Sequence, residues 1–281
     1  VVKRFLGDTA VYGLSTIVSR LLNFVLTPLF TAKFSASLYG IFTNVYSWSA
    51  FINTFLAFGM ETTYFRYLQK VDAEDRPKVA SNTFLITLVT AVTFLVCLVS
   101  LLDPIASWFG RKGMQPVSDY KFYVLCMGLT LAADALAVVP FAKLRSQNRP
   151  IRFGILKFCN ILVFVGLNIM FLLVLPWVLG KYSDYQAYFS WFREGWLGYV
   201  FLSNLVASVV TLLILLRDMK GIRLRMDIVM VRSMVSYSFP IFVANVSFII
   251  NEHLDKILMP SLLPEQIGER DLGIYGAIGK I

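Results

Sequence analysis

Four polar side chains recur at helical spacing in the first apolar run of the chain: Thr16, Arg20, Asn23 and Thr27. Positions three, four and seven residues from Arg20 share its face of an α-helix. A guanidinium stays charged and presents a planar fork of donors, so Arg20 on such a face suits an anionic group such as a pyrophosphate. An Arg held by the carbonyls or amides of neighbouring helices is the competing reading. The second apolar run carries Asn53, which in a chain of opposite direction falls near the depth of Arg20 and extends the same candidate cavity.

Acidic groups inside apolar runs are few, and each needs a partner or water, since a central charge costs about 2.5–3.5 kcal/mol on insertion scales. Asp134 is a candidate proton or cation site, or else a solvated residue of a vestibule. The last long run holds Asn251, Glu252, His253, Asp255 and Lys256. There Glu252 and Asp255 are candidates for binding Na⁺ or H⁺, against i, i+4 structural pairing with Lys256 and Asn251. Glu61 and Arg66 read as an ion pair at one end of the second run. Cys97, Cys126 and Cys159 lie in apolar runs without CxxC spacing or a His cluster, so neither a metal nor a cofactor is expected.

The elements that carry these residues must be membrane-spanning helices. The 281 residues are 57% hydrophobic and 15% charged, with mean hydropathy +0.69, whereas soluble domains carry about a quarter charged residues. Runs of about 20 apolar residues span the hydrocarbon, and seven are predicted: 9–32, 38–64, 79–102, 119–141, 154–179, 196–217 and 233–260, with an eighth opening near Asp271. The first shows no signal-peptide cleavage site and should remain as a span. The net charge of +9 gathers in loops on one side, twice as densely in Lys and Arg as on the other. This places the N-terminus in the cytoplasm and makes a nucleic-acid partner unnecessary. Trp108, Tyr120, Tyr123, Trp177, Tyr182, Tyr185, Trp191 and Trp196 fall at span ends and read as a girdle at the outer interface.

The pattern that opens the chain returns near its end. Tyr12, a helix and Leu38-Tyr39-Gly40 are matched by Tyr237, a helix and Ile274-Tyr275-Gly276, six spans later. A repeat of six spans gives two lobes related by an axis along the membrane normal, with a substrate path between them. The expected organisation is therefore all-α and polytopic: a six-helix lobe over 1–227, then the start of a second lobe over 228–281, with about five more spans to follow.

Several motifs in order resemble those of the polysaccharide transporter family: Gly7-Asp8-Thr9 through Ser19-Arg20, Leu38-Tyr39-Gly40, Gly59-Met60-Glu61-Thr62 with Phe65-Arg66, Leu144 through Pro150, and Ser238-Phe239-Pro240 leading to Asp255-Lys256. This family, which includes O-antigen flippases, belongs to the multidrug/oligosaccharidyl-lipid/polysaccharide exporter superfamily. The resemblance implies a V-shaped fold of two lobes in the bacterial inner membrane. It implies a polyprenyl-pyrophosphate-linked oligosaccharide as substrate, an O-antigen or capsule repeat unit moved outward by alternating access, and polysaccharide assembly proteins as partners. By the same resemblance Arg20 matches a cavity arginine. A multidrug extruder of the same fold is the alternative. A membrane-embedded glycan-assembly enzyme is disfavoured, because the short loops hold neither Asp-x-Asp nor His.

Overall fold

The computed structural model describes residues 26–111, 115–182, 188–223, 225–264 and 267–279. Most of the first expected span, with Thr16, Arg20 and Asn23, lies outside them. The described residues are helical, with no strand among them. Five helical stretches are long and apolar enough to cross a membrane: 73–100, 117–146, 150–181, 198–219 and 228–262. They correspond to the third through seventh expected spans.

Helix α1 is described over 26–33. Ser35 then caps α2 (Ala36–Ala57), its hydroxyl accepting from the Leu38 N–H at 3.3 Å, which supplies one of the donors a helix start leaves orphaned. The second expected span is broken. Phe58 and Gly59 both adopt left-handed backbone, at φ 42° and 66°, and α3 (Met60–Lys70) starts anew. The break is filled from another helix: Phe58 stacks on Phe242 at 4.8 Å, and a Cβ on Gly59 would lie 3.0 Å from the Ile241 side chain. Backbone freed at membrane depth is tolerated where protein covers it.

Next come α4 (Arg76–Ser100), the short α5 (Leu102–Gly110) and α6 (Val117–Ser146). The chain continues with α7 (Pro150–Ile169), a π turn at Met170–Val174, and α8 (Leu175–Lys181). The widened turn accommodates Pro176, whose missing N–H and bulky ring disrupt a regular i→i−4 ladder. Finally α9 (Gly198–Leu215), α10 (Ile228–Leu262) and α11 (Gly268–Ile278) follow. At 35 residues α10 is about 52 Å long, well beyond the ~30 Å of hydrocarbon.

Burial separates interior helices from lipid-compatible ones. On α4, Val89, Val92, Val96 and Val99 form an exposed apolar stripe, and on α7 Ile151, Ile155, Phe158 and Leu162 form another. Helix α2 is the reverse: Thr43, Asn44, Ser47, Ser49 and Thr54 are all buried. It sits inside the bundle against α6, α10 and α11, so its surface need not match lipid. The core is an aromatic cluster where α2, α6 and α9 meet, around Phe42, Tyr123 and Phe201. Tyr120 and Tyr123 are therefore interior residues, 1% and 0% exposed, not part of a girdle. Trp177, Tyr182 and Trp191 remain exposed as expected.

The two Tyr-Gly segments meet in space. Helices α2 and α11 run parallel with their backbones touching: a Cβ on Gly40 would overlap the Glu269 carbonyl, and a Cβ on Gly273 would overlap the Ala36 carbonyl. The two contacts are reciprocal, since Ala36 and Glu269 stand 233 residues apart, as do Gly40 and Gly273. In this register Gly40-Ile41-Phe42 corresponds to Gly273-Ile274-Tyr275, three residues from the pairing of the Tyr-Gly dipeptides.

Candidate functional site

Between α2, α3, α6, α7 and α9 lies a polar cavity of about 420 Å³. Helix α6 runs to Ser146, five residues past its expected end, which puts Asp134 near the middle of the helix. Its carboxylate faces Ser208 of α9 and Lys157 of α7. Lys157 lies two turns into α7, not in a loop, and its ammonium rests over the Phe141 ring at 4.5 Å.

The wall is held by amides and hydroxyls at helical spacing. Asn160 follows Lys157 by one turn and donates to the Thr211 hydroxyl at 3.0 Å. On α9, Asn204, Ser208 and Thr211 share one face, and Asn204 donates to the Tyr46 hydroxyl at 3.1 Å. At the α3 end of the cavity Glu61 pairs with Arg145 of α6, not with Arg66. The Arg145 guanidinium also lies 5.3 Å from the Phe65 ring and 5.7 Å from that of Phe153.

Of the residues selected from sequence, Asn53 and Asp134 line this one cavity, although their expected roles differed. Thr27 does not face it; that side chain is buried near the apolar core, 7% exposed, and its carbonyl accepts from the Thr31 hydroxyl at 3.0 Å. Glu252 and Asp255 are remote from it on α10. Asp255 accepts from Tyr275 of α11 at 2.5 Å, while the Lys256 ammonium turns to the Glu252 backbone carbonyl at 2.9 Å. Thr16, Arg20 and Asn23 fall outside the described residues. Lys157, Asn160 and Asn204 were not selected, yet a lysine followed one turn later by an amide inside an apolar run was a legible signal.

Both ends of the bundle are tied by ionic contacts. At one, Arg152 binds Asp218 bidentately, at 3.0 and 2.8 Å, and Lys143 donates to the carbonyls of Asp218 and Lys220. Also there, the backbone N–H groups of Arg223 and Asp227 reach Ser81 and Asn82 on α4. At the other, the chain after α8 turns back through residues 188–197, where Arg193 forks onto the buried Asp119 carboxylate at 2.8 Å. That pairing raises the Arg193 pKa above its ordinary value, the hydrogen bonds to Asp119 being the main cause.

No group of His, Cys, Asp and Glu capable of holding a metal occurs among the described residues. No curated protein and no solved structure matches the chain. The pattern defining one family does match, over residues 5–281, and it spans the bundle, the cavity and the α2–α11 seam alike. The chain belongs to the polysaccharide biosynthesis protein family.

Proposed function

We propose that the protein moves polyprenyl-pyrophosphate-linked oligosaccharides, O-antigen or capsule repeat units, across the bacterial inner membrane. The observation that carries this reading, given the family, is a charged and amide-lined cavity whose walls include three helices apolar enough to cross a membrane, α6, α7 and α9. A scaffold for glycan-assembly proteins has no need to hold Asp134 and Lys157 at that depth, because intramembrane charge is retained where it meets a ligand, an ion or water. In this reading residues 1–227 form the first lobe and 228–281 open the second. The N-terminus is cytoplasmic, Arg20 contacts the pyrophosphate, and alternating access is coupled to H⁺ or Na⁺.

The test is deletion of the full gene with leaflet-resolved analysis of lipid-linked glycans. Intermediates should accumulate on the cytoplasmic leaflet; failure to synthesise them at all would indicate an enzyme. A multidrug extruder is the second reading, favoured by Asp134 facing the cavity. It predicts that deletion sensitises cells to cationic drugs while lipid-linked glycans stay normal.

A further inference from the structure

We infer that the cavity between α2, α6, α7 and α9 binds the neutral sugar rings of the substrate and not its pyrophosphate. This rests on the export reading above and assigns one part of the substrate to one set of residues.

Charge balance is the first argument. The lining holds two acids, Glu61 and Asp134, and two bases, Arg145 and Lys157. Glu61 and Arg145 neutralise each other directly. Asp134 and Lys157 feel each other's charge without forming one of the close ion pairs found elsewhere in the protein. A wall with no net charge gives a pyrophosphate little to offset its desolvation, but it offers a neutral polyol strong donors and acceptors side by side. The basic end of the bundle shows the opposite composition: a recess of about 610 Å³ exposes Arg76, Lys143 and Lys220 with no carboxylate in its lining.

The second argument is the kind of polar group. Asn160 and Asn204 each use an amide N–H within the wall, and no hydrogen bond among the described residues uses either amide oxygen. Asn53 is exposed to the cavity and makes no hydrogen bond among the described residues. Amides supply a donor and an acceptor at adjacent points, the spacing that vicinal hydroxyls on a sugar ring match. Phe141 and Phe153, paired edge to face at 5.3 Å, line the same space, and the half-buried Phe153 gives the apolar C–H face of a ring something to pack on. At about 420 Å³ the cavity is within the ~300–1,000 Å³ range of small-ligand sites.

The probe is the lipid-free repeat-unit oligosaccharide, released by mild acid from the host's own lipid-linked intermediates. Its binding to the purified full-length protein in nanodiscs is measured by calorimetry, beside inorganic pyrophosphate and NaCl. The oligosaccharide should bind, and Asn53→Ala should weaken it about tenfold, the loss of roughly one strong hydrogen bond. Asn53→Phe, which narrows the space without removing a wall contact among the described residues, should abolish binding, while pyrophosphate binding stays unchanged in both. Equal oligosaccharide affinity in wild type and both variants overturns the assignment and leaves the export reading standing. So does a protein that flips the lipid-linked substrate but binds only Na⁺ here, with binding lost in Asp134→Asn. Failure to bind either the oligosaccharide or the intact lipid-linked glycan overturns both.

Discussion

Asn44 illustrates how a polar residue in a spanning segment can be structural. Pro260 lacks the N–H that would bond the Lys256 carbonyl one turn earlier in α10. The Asn44 amide of α2 donates to that carbonyl at 3.1 Å. Removing the amide strands a polar group, which costs about 1–3 kcal/mol. Asn44→Ala should therefore lower the unfolding midpoint in detergent, and Pro260→Ala, which restores the helical donor, should remove much of that penalty. A double-mutant cycle reads this as coupling; additive effects would show that the Lys256 carbonyl needs neither partner. Residue type alone could not separate such groups from candidates for chemistry. Thr43, Ser47, Ser49, Thr54, Thr130 and Thr211 all return their hydroxyl hydrogens to carbonyls four residues back, a local option open to any Ser or Thr in a helix. Asn53 and Asp134 were legible because an amide or a carboxylate is harder to satisfy within its own turn. Lys157 was less legible because it follows Arg149 and Arg152 closely and lies only two turns into α7.

At the scale of elements, hydropathy located the third through seventh spans, since lipid imposes a long apolar run on any helix that touches it. The break at Phe58 and Gly59 was not legible. Its cause is the docking of Ile241 and Phe242, nearly two hundred residues away in sequence. The same distinction between local and distant causes governs the glycines. Gly166 of α7 has open space where a Cβ would go, whereas Gly40 and Gly273 have backbone oxygens there. Gly166→Ala should be neutral or stabilising by up to ~1 kcal/mol, as expected for removing a helical glycine. Gly40→Ala or Gly273→Ala should each destabilise by about 1–3 kcal/mol by prising α2 from α11. Thermal unfolding in detergent checks all three, and a neutral Gly40→Ala would mean that the seam is not close-packed.

For the whole molecule, the described contacts sort by end. Glu61–Arg145, Arg152–Asp218 and the Arg223 and Asp227 contacts to α4 lie at one end, and Asp103–Lys121 and Asp119–Arg193 at the other. The first end is the one rich in Lys and Arg, and in the orientation proposed above the positive-inside rule predicts that it faces the cytoplasm. In a background lacking Cys97, Cys126 and Cys159, Lys78→Cys should react with a membrane-impermeant maleimide only in inverted vesicles, and Lys121→Cys only in intact spheroplasts. The reverse pattern would invert the orientation.

The α2–α11 seam also has a genetic consequence. The atoms that crowd Gly40 and Gly273 are carbonyl oxygens of the main chain, which every amino acid carries. No change of side chain at Ala36 or Glu269 removes those oxygens. Selection for restored function after a Gly40 lesion should yield chiefly true revertants at that codon, with few suppressors among the residues that face it.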